Sequence, residues 1–212
     1  SHLGTLPGRS GLTISSSRIN HIMTPLRMIM NEAADRFAFS SPWRNIRAMK
    51  ISRTAIQPFS LVEIERLLAI VRKDFQPYYA VRFFTGLRSG EIHGLTWRHV
   101  DFERRQILIY QARVRKEIIQ TKTDGSYRAI QMSERVYQAL RQQAAQTGQY
   151  GPDGFVFCTR EGSPLDDHNV TKRVWYPLLS ALGLEPRKPY QTRHTAATLW
   201  LVAGESPEWI AR

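Results

Sequence analysis

Apolar residues recur at three- and four-residue intervals in several stretches of this chain and alternate with polar ones in a few short runs. Ile19, Ile22, Met23, Leu26, Met30 and Ala33 share one helical face, which predicts a helix from Ser16 to about Asp35. Pro25 lies inside it, has no N–H to donate and crowds the preceding turn, so a kink is expected there. Leu61, Ile64, Leu67, Leu68 and Val71 form a second amphipathic run, opened by Ser60 and Glu63 at capping-box spacing. Further helices are predicted over Pro77 to Phe84, from near Ser89, from a Ser133 cap through Val136, Leu140 and Ala144, from about Asn169 to Leu182, and from Thr192 to Ala203. Ile107 with Ile109, and Val114 with Ile118, suggest two strands. Thr123-Asp124-Gly125-Ser126 reads as a hairpin turn into a strand through Ala129 to Met132, and Phe155-Val156-Phe157 as one more short strand. Helices, then a small antiparallel sheet, then helices again define an α+β class.

Composition narrows the partners. Thirty Lys and Arg against 18 Asp and Glu leave a formal charge of +12, which draws the chain toward a polyanion. No apolar stretch approaches the ~18 residues of a spanning helix, so nucleic acid is the expected partner and not a membrane. Cys158 is the only cysteine, so no disulfide forms within the chain and a cytoplasmic setting is expected. The charge is locally dense after the turn at Ser40-Ser41-Pro42-Trp43. Arg44, Arg47, Lys50 and Arg53 precede Pro58 and read as a basic stripe on an interdomain linker, although a merely solvated segment would carry the same residues.

Three short segments carry candidate chemistry. Arg88 sits on a Gly-flanked turn at a helix start, with Glu91 three residues later on the same face. Its planar fork suits phosphate oxygens, and Gly86 and Gly90 would let backbone approach a ligand closely. Lys122 lies just before the Asp124-Gly125 turn, where it could act as a point charge or proton donor. Arg193 and His194 open a later helix, and a helix start favours anions. Taken singly, each is more often structural. The six histidines and the cysteine have no metal-ligand spacing, and His93 and His99 read as helix and loop residues. No phosphate-binding Gly-x4-Gly-Lys-Ser/Thr loop is present, and Asp101 with Glu103 lacks the partner residues of a metal-dependent nuclease.

Together the segments are more specific. Gly86-Leu87-Arg88-Ser89-Gly90-Glu91-Ile92, followed by Leu95-Thr96-Trp97 and Val100-Asp101, resembles the first arginine box of the tyrosine recombinases, the phage-integrase family. Thr121-Lys122-Thr123 with Ser126, Arg128 and Ile130 is similar to its β-hairpin lysine segment, and Thr192-Arg193-His194-Thr195 to its second arginine box. The resemblance covers roughly residues 55 to 212, and residues 15 to 50 resemble the end of the family's helical core-binding domain. It implies a partial core-binding domain and linker over 1–50 and a catalytic domain over 51–212 without its C-terminal end.

The resemblance also implies an activity: site-specific DNA cleavage and rejoining through a 3′-phosphotyrosyl intermediate, with the nucleophilic tyrosine after residue 212. Arg88, Lys122, Tyr190 and Arg193 would be catalytic, with Glu91 and His194 supporting them. Arg44, Arg47, Lys50, Arg53 and Arg128 would contact duplex DNA, on which the whole protein would form a homotetramer. No cofactor and no metal is implied. Tyr190 stands where the family usually has histidine, and a phenol (pKa ~10 unperturbed) is a better hydrogen-bond donor than base at neutral pH. Tyr176 and Tyr190 do not match the nucleophile's position. A type IB topoisomerase, which relaxes DNA with the same pocket, and a non-catalytic DNA-binding protein are the alternatives.

Overall fold

The computed structural model describes residues 14–51, 55–114, 117–120 and 128–210. The chain divides into two compact units, Ser1–Ala55 and Ile56–Arg212. Arg53, Lys122 and the expected turn at Thr123–Ser126 lie outside the described residues.

In the first unit α1 spans Ser16–Phe37 and runs unbroken through Pro25. Ser15 caps its start by accepting from the Arg18 N–H, and Ala38 closes it in the left-handed region at φ 50°. After a 3₁₀ turn at Pro42–Asn45 the chain folds back along the helix. The Asn20 side-chain amide pairs with both backbone groups of Met49, each bond 2.8 Å. That two-point contact mimics a strand pairing, so part of the expected linker is pinned to α1. Arg44, Arg47 and Lys50 remain exposed.

The second unit is mostly helical, built around α2 (Leu61–Ile70) and α3 (Gln76–Thr85), then α4 (Ser89–Gly94). The capping box of α2 forms: Ser60 Oγ accepts from the Glu63 N–H, and Glu63 Oε2 accepts from the Ser60 N–H. The strands follow as β1 (Val100–Asp101), β2 (Gln106–Ile109), β3 (Gln111–Val114), β4 (Glu117–Gln120) and β5 (Arg128–Gln131). β1-β2-β5 make one antiparallel sheet in which Ile107 faces Ile130, and β3-β4 make a separate hairpin. The chain ends in α5 (Glu134–Thr147), α6 (Asp167–Val170), α7 (Tyr176–Ala181), α8 (Gln191–Val202) and α9 (Pro207–Ile210).

Ile64, Leu67, Phe83, Ile107, Leu140 and Trp175 lie in the centre of the core, each fully buried or nearly so. Burial of each such side chain stabilises by roughly 1.5–3 kcal/mol. Trp175 packs against Phe59 and Tyr79 at ring-centroid distances of 5.6 and 5.3 Å, and its indole N–H donates to the Arg187 carbonyl. No described helix is long and apolar enough to cross a membrane.

Three elements depart from the sequence pattern. Val114 and Ile118 are not in one strand: Val114 belongs to β3 and Ile118 to the antiparallel β4, where Ile118 pairs with Arg113. Phe155-Val156-Phe157 forms no strand. It makes one isolated bridge, Phe155 to Thr96, and Val156 donates to the Leu95 carbonyl, while the side chains of Val156 and Phe157 are buried in the core. The expected helix from Asn169 to Leu182 is present as one helical run, but Thr171–Trp175 is a π turn. Pro177 explains it, since proline cannot donate to the carbonyl of Arg173 and crowds it, and the wider turn relieves that crowding.

Candidate active site

The first arginine segment begins where α3 ends. Gly86 closes α3 at φ +61°, and a Cβ there would sit 3.0 Å from the Trp200 ring and 3.3 Å from Ala196. Glycine therefore lets the end of α3 press against α8. Arg88 is the residue before α4, and its N–H donates to Glu91 Oε2 at 2.8 Å while its Nη1 donates to Oε1 at 2.7 Å. Glu91 is buried, and it also accepts both Nη groups of Arg128 from the start of β5, at 3.0 and 2.8 Å. One carboxylate thus ties the first box to the sheet. Burial pushes the Glu91 carboxyl up, but hydrogen bonds from Arg128 and from the Arg88 backbone, with the charge of Arg128, outweigh it and hold the group below its ordinary range.

Arg193 reaches the same place from α8. Its Nη1 donates to the Gly86 carbonyl at 2.5 Å, joining segments 107 residues apart. Burial lowers its pKa, and the positive charge of Arg88 lowers it further. Arg88 keeps 53% of its side chain exposed, so the pocket presents a partly free guanidinium to solvent above a buried carboxylate. Such a pair of forks is suited to the non-bridging oxygens of a phosphodiester. Tyr190 precedes α8, is 48% exposed, and meets the His194 ring edge-to-face at 5.2 Å.

The structure therefore brings together Arg88, Glu91, Arg128, Arg193, Tyr190 and His194. Arg128 has its fork engaged with Glu91 and is 21% exposed, less open to a ligand than the sequence suggested. Lys122 precedes Arg128 in segment 121–127, outside the described residues. Arg44, Arg47 and Lys50 belong to the other unit.

Gly90 has a different task from the one its place beside Arg88 suggested. A Cβ there would lie 2.9 Å from the Arg113 carbonyl oxygen, and one at Gly94 would lie 2.9 Å from the Arg113 nitrogen. Both glycines make room for β3, not for a ligand. The sequence reading also passed over Arg82, which is 2% exposed in α3. Its signal was an arginine inside the aromatic run Tyr78-Tyr79-Ala80-Val81-Arg82-Phe83-Phe84.

Two arginine segments thus meet over one buried carboxylate on a mainly helical fold with a small antiparallel sheet. The chain belongs to the phage integrase family, whose model matches residues 59–211. It is 28% identical over 236 residues to IntQ of Escherichia coli (strain K12), which is named a defective protein, covering 99% of this chain and 58% of that protein. It is 26% identical over 204 residues to the prophage integrase IntR of the same strain, covering 83% of this chain and 50% of that one. The chain spans about half the length of the curated relatives it matches. Among solved structures, the Tn1549 transposon integrase in complex with a circular intermediate DNA shares the fold, with TM-score 0.79 and 22% identity over 93% of this chain and 70% of that one. A lambda integrase tetramer bound to a Holliday junction matches at TM-score 0.69 and 15% identity, over 92% of this chain and 57% of that one.

Proposed function

We propose that the chain is the catalytic part of a site-specific DNA recombinase, probing and cutting duplex DNA at a phosphodiester held by Arg88 and Arg193. The observation that carries this reading is the meeting of the two arginine segments over Glu91 and the Gly86 carbonyl. Residues 1–50 are the end of a core-binding domain and its linker, and residues 51–212 belong to the catalytic domain. In the reaction a tyrosine oxygen attacks the scissile phosphorus. The bond to the 5′-oxygen breaks, and a 3′-phosphotyrosyl link remains. Arg88 and Arg193 meet the charge that grows on the non-bridging oxygens, which is where preorganised cations accelerate most. Lys122 donates the proton that the departing 5′-oxygen takes up, a task for an ammonium and not for a guanidinium. Tyr190 donates to a phosphate oxygen in place of the family's histidine, and His194 supports its ring. The nucleophile is a tyrosine after Arg212, and the whole protein works as a homotetramer on duplex DNA in the cytoplasm. The link conserves the phosphodiester's energy, so rejoining needs no cofactor.

The test uses the full-length product of the natural gene on a nicked duplex carrying the end-junction of its own element, which traps the covalent link. A 3′-phosphotyrosyl adduct is expected, mapping by mass spectrometry outside Tyr176 and Tyr190. Joining of two such sites distinguishes recombination from relaxation by a topoisomerase. DNA binding with no adduct would replace the reading with that of a non-catalytic binder.

A further inference from the structure

We propose that Arg82 is a positioning residue that holds the two arginine boxes in register for phosphoryl transfer; this rests on the reading of the pocket given above. Arg82 projects from the middle of α3 and is 2% exposed. A buried cation is costly unless it is paired or fully hydrogen-bonded. Among the described residues Arg82 makes no ion pair, and its fork is instead distributed over neutral acceptors. Nη1 donates to Tyr78 Oη at 2.8 Å and Nη2 to Ser89 Oγ at 3.0 Å. Nη2 also donates to the Pro189 carbonyl at 3.3 Å, and Nε to Thr192 Oγ1 at 3.4 Å.

The identity of those acceptors matters. Ser89 directly follows Arg88, and Thr192 directly precedes Arg193. Pro189 precedes Tyr190, and its carbonyl is shared, because Thr192 Oγ1 donates to it at 2.8 Å. One planar group therefore touches the chain neighbour of each pocket arginine and of the tyrosine. Arg88 itself is held to Glu91 through its backbone N–H and Nη1, and Arg193 to the Gly86 carbonyl. The rigid distances between their backbones are set one layer below, by a guanidinium whose donors diverge at fixed angles.

The remaining contacts fix the charge in place. Tyr78 Oη accepts from Arg82 and also lies within hydrogen-bonding distance of His93 Nε2, 2.8 Å away. His93 stays neutral, its pKa drawn down to about 3 by burial and by the charges of Arg82 and Arg113. The charge of Arg82, lying under the pocket, adds to the potential felt by a bound phosphate.

The experiment measures single-turnover adduct formation on the nicked duplex, site affinity by titration, and thermal unfolding, all with the full-length protein. Arg82→Met is expected to slow adduct formation by about 100-fold, the cost of an ångström-scale misplacement. Affinity is expected to move less than about threefold, because contacts tuned to the transition state act on rate more than on binding. Arg82→Lys, which keeps the charge and loses the fork, is expected to recover only part of the rate. The double variant Ser89→Ala/Thr192→Val removes the two side-chain links between the boxes and leaves Arg82 buried on Tyr78. It is expected to slow adduct formation by about tenfold in protein that is still folded at the assay temperature, with a lower melting temperature from the unsatisfied donors. It decides the matter if Arg82→Met does not fold. Wild-type rates in Arg82→Met, or in the double variant where Arg82→Met is unfolded, would overturn the proposal. So would rate and affinity of the double variant falling in parallel with loss of folded protein. Arg88→Ala run alongside separates the two ideas: if it also cleaves at the wild-type rate, the reading of the pocket fails and not the brace.

Discussion

Glu91 carries more of the pocket than its single charge suggests, because four donors from two segments converge on its two oxygens. Since its carboxyl is held below its ordinary pKa, it contributes stability that is fully present above the unfolded value of about 4.3 and is lost as pH falls through the folded value. Glu91→Gln keeps the shape and removes the charge, leaving Arg88 and Arg128 facing each other without compensation. Breaking a fully buried pair costs about 3–5 kcal/mol. Here both arginines keep some access to water, so the cost is smaller, but the variant should still melt below wild type at pH 7. The gap should close on acidification below about pH 4.3, as wild type loses the same charge. A gap that stays constant with pH would mean that the carboxylate's charge does not hold the pocket. Arg88→Ala and Arg88→Lys should both abolish adduct formation in the full-length protein while site binding stays within about threefold, because a single ammonium cannot make the bidentate contact. Arg88, Glu91 and Arg193 were legible because local sequence fixes their type and spacing. Arg82 and the Arg128–Glu91 pairing were not, since a buried partner 107 or 37 residues away leaves no trace in either segment.

At the scale of elements, α4 and β3 approach until glycine is the only residue that fits at two positions one helical turn apart. The atoms that a Cβ at Gly90 or Gly94 would meet belong to the Arg113 backbone, so no side-chain rotation relieves the overlap. Gly90→Ala and Gly94→Ala should therefore each destabilise by about 1–3 kcal/mol through overpacking. This outweighs the ~1 kcal/mol that alanine gains over glycine inside a helix. Gly148→Ala is the control: its backbone is helical and its Cβ would meet only Ala144, at 3.9 Å. It should be neutral or stabilise by up to about 1 kcal/mol, by restricting the unfolded chain. Thermal unfolding of the three variants reads both outcomes, and a neutral Gly90→Ala would mean β3 yields freely. The helices of the second unit were legible because a stripe such as Ile64, Leu67 and Leu68 can only be buried by one face of a helix. The strands were less so. Val114, Ile118 and Ile119 are apolar yet 44%, 43% and 39% exposed, so the hairpin they belong to does not alternate between core and solvent. The π turn before Pro177 answers a local clash that periodicity does not register.

Across the whole molecule the excess of +12 is unevenly available. Many arginines of the second unit are already engaged: Arg98 with Asp153, Arg105 with Glu134, Arg135 with Glu65 and Arg187 with Glu63. Arg44, Arg47 and Lys50 are exposed and take part in no ion pair among the described residues. Positive charge without a protein partner attracts phosphate most cheaply, since binding displaces counterions and breaks no existing contact. If each of the three neutralises one phosphate, replacing them together by alanine should flatten the slope of log K against log salt by about 2.7, at ~0.9 per contact on duplex DNA. Replacing Arg105 and Arg135, whose charges are already met by Glu134 and Glu65, should change that slope by much less than 1.8, the value for two lost phosphate contacts at ~0.9 each. Titrations of a fluorescent duplex at several salt concentrations measure both. The contrast between the two sets is the informative quantity, because any loss of cations lowers affinity somewhat while only lost phosphate contacts alter the slope. Equal slopes for wild type and the triple variant would take the segment after α1 out of the DNA interface and leave binding to the pocket unit alone.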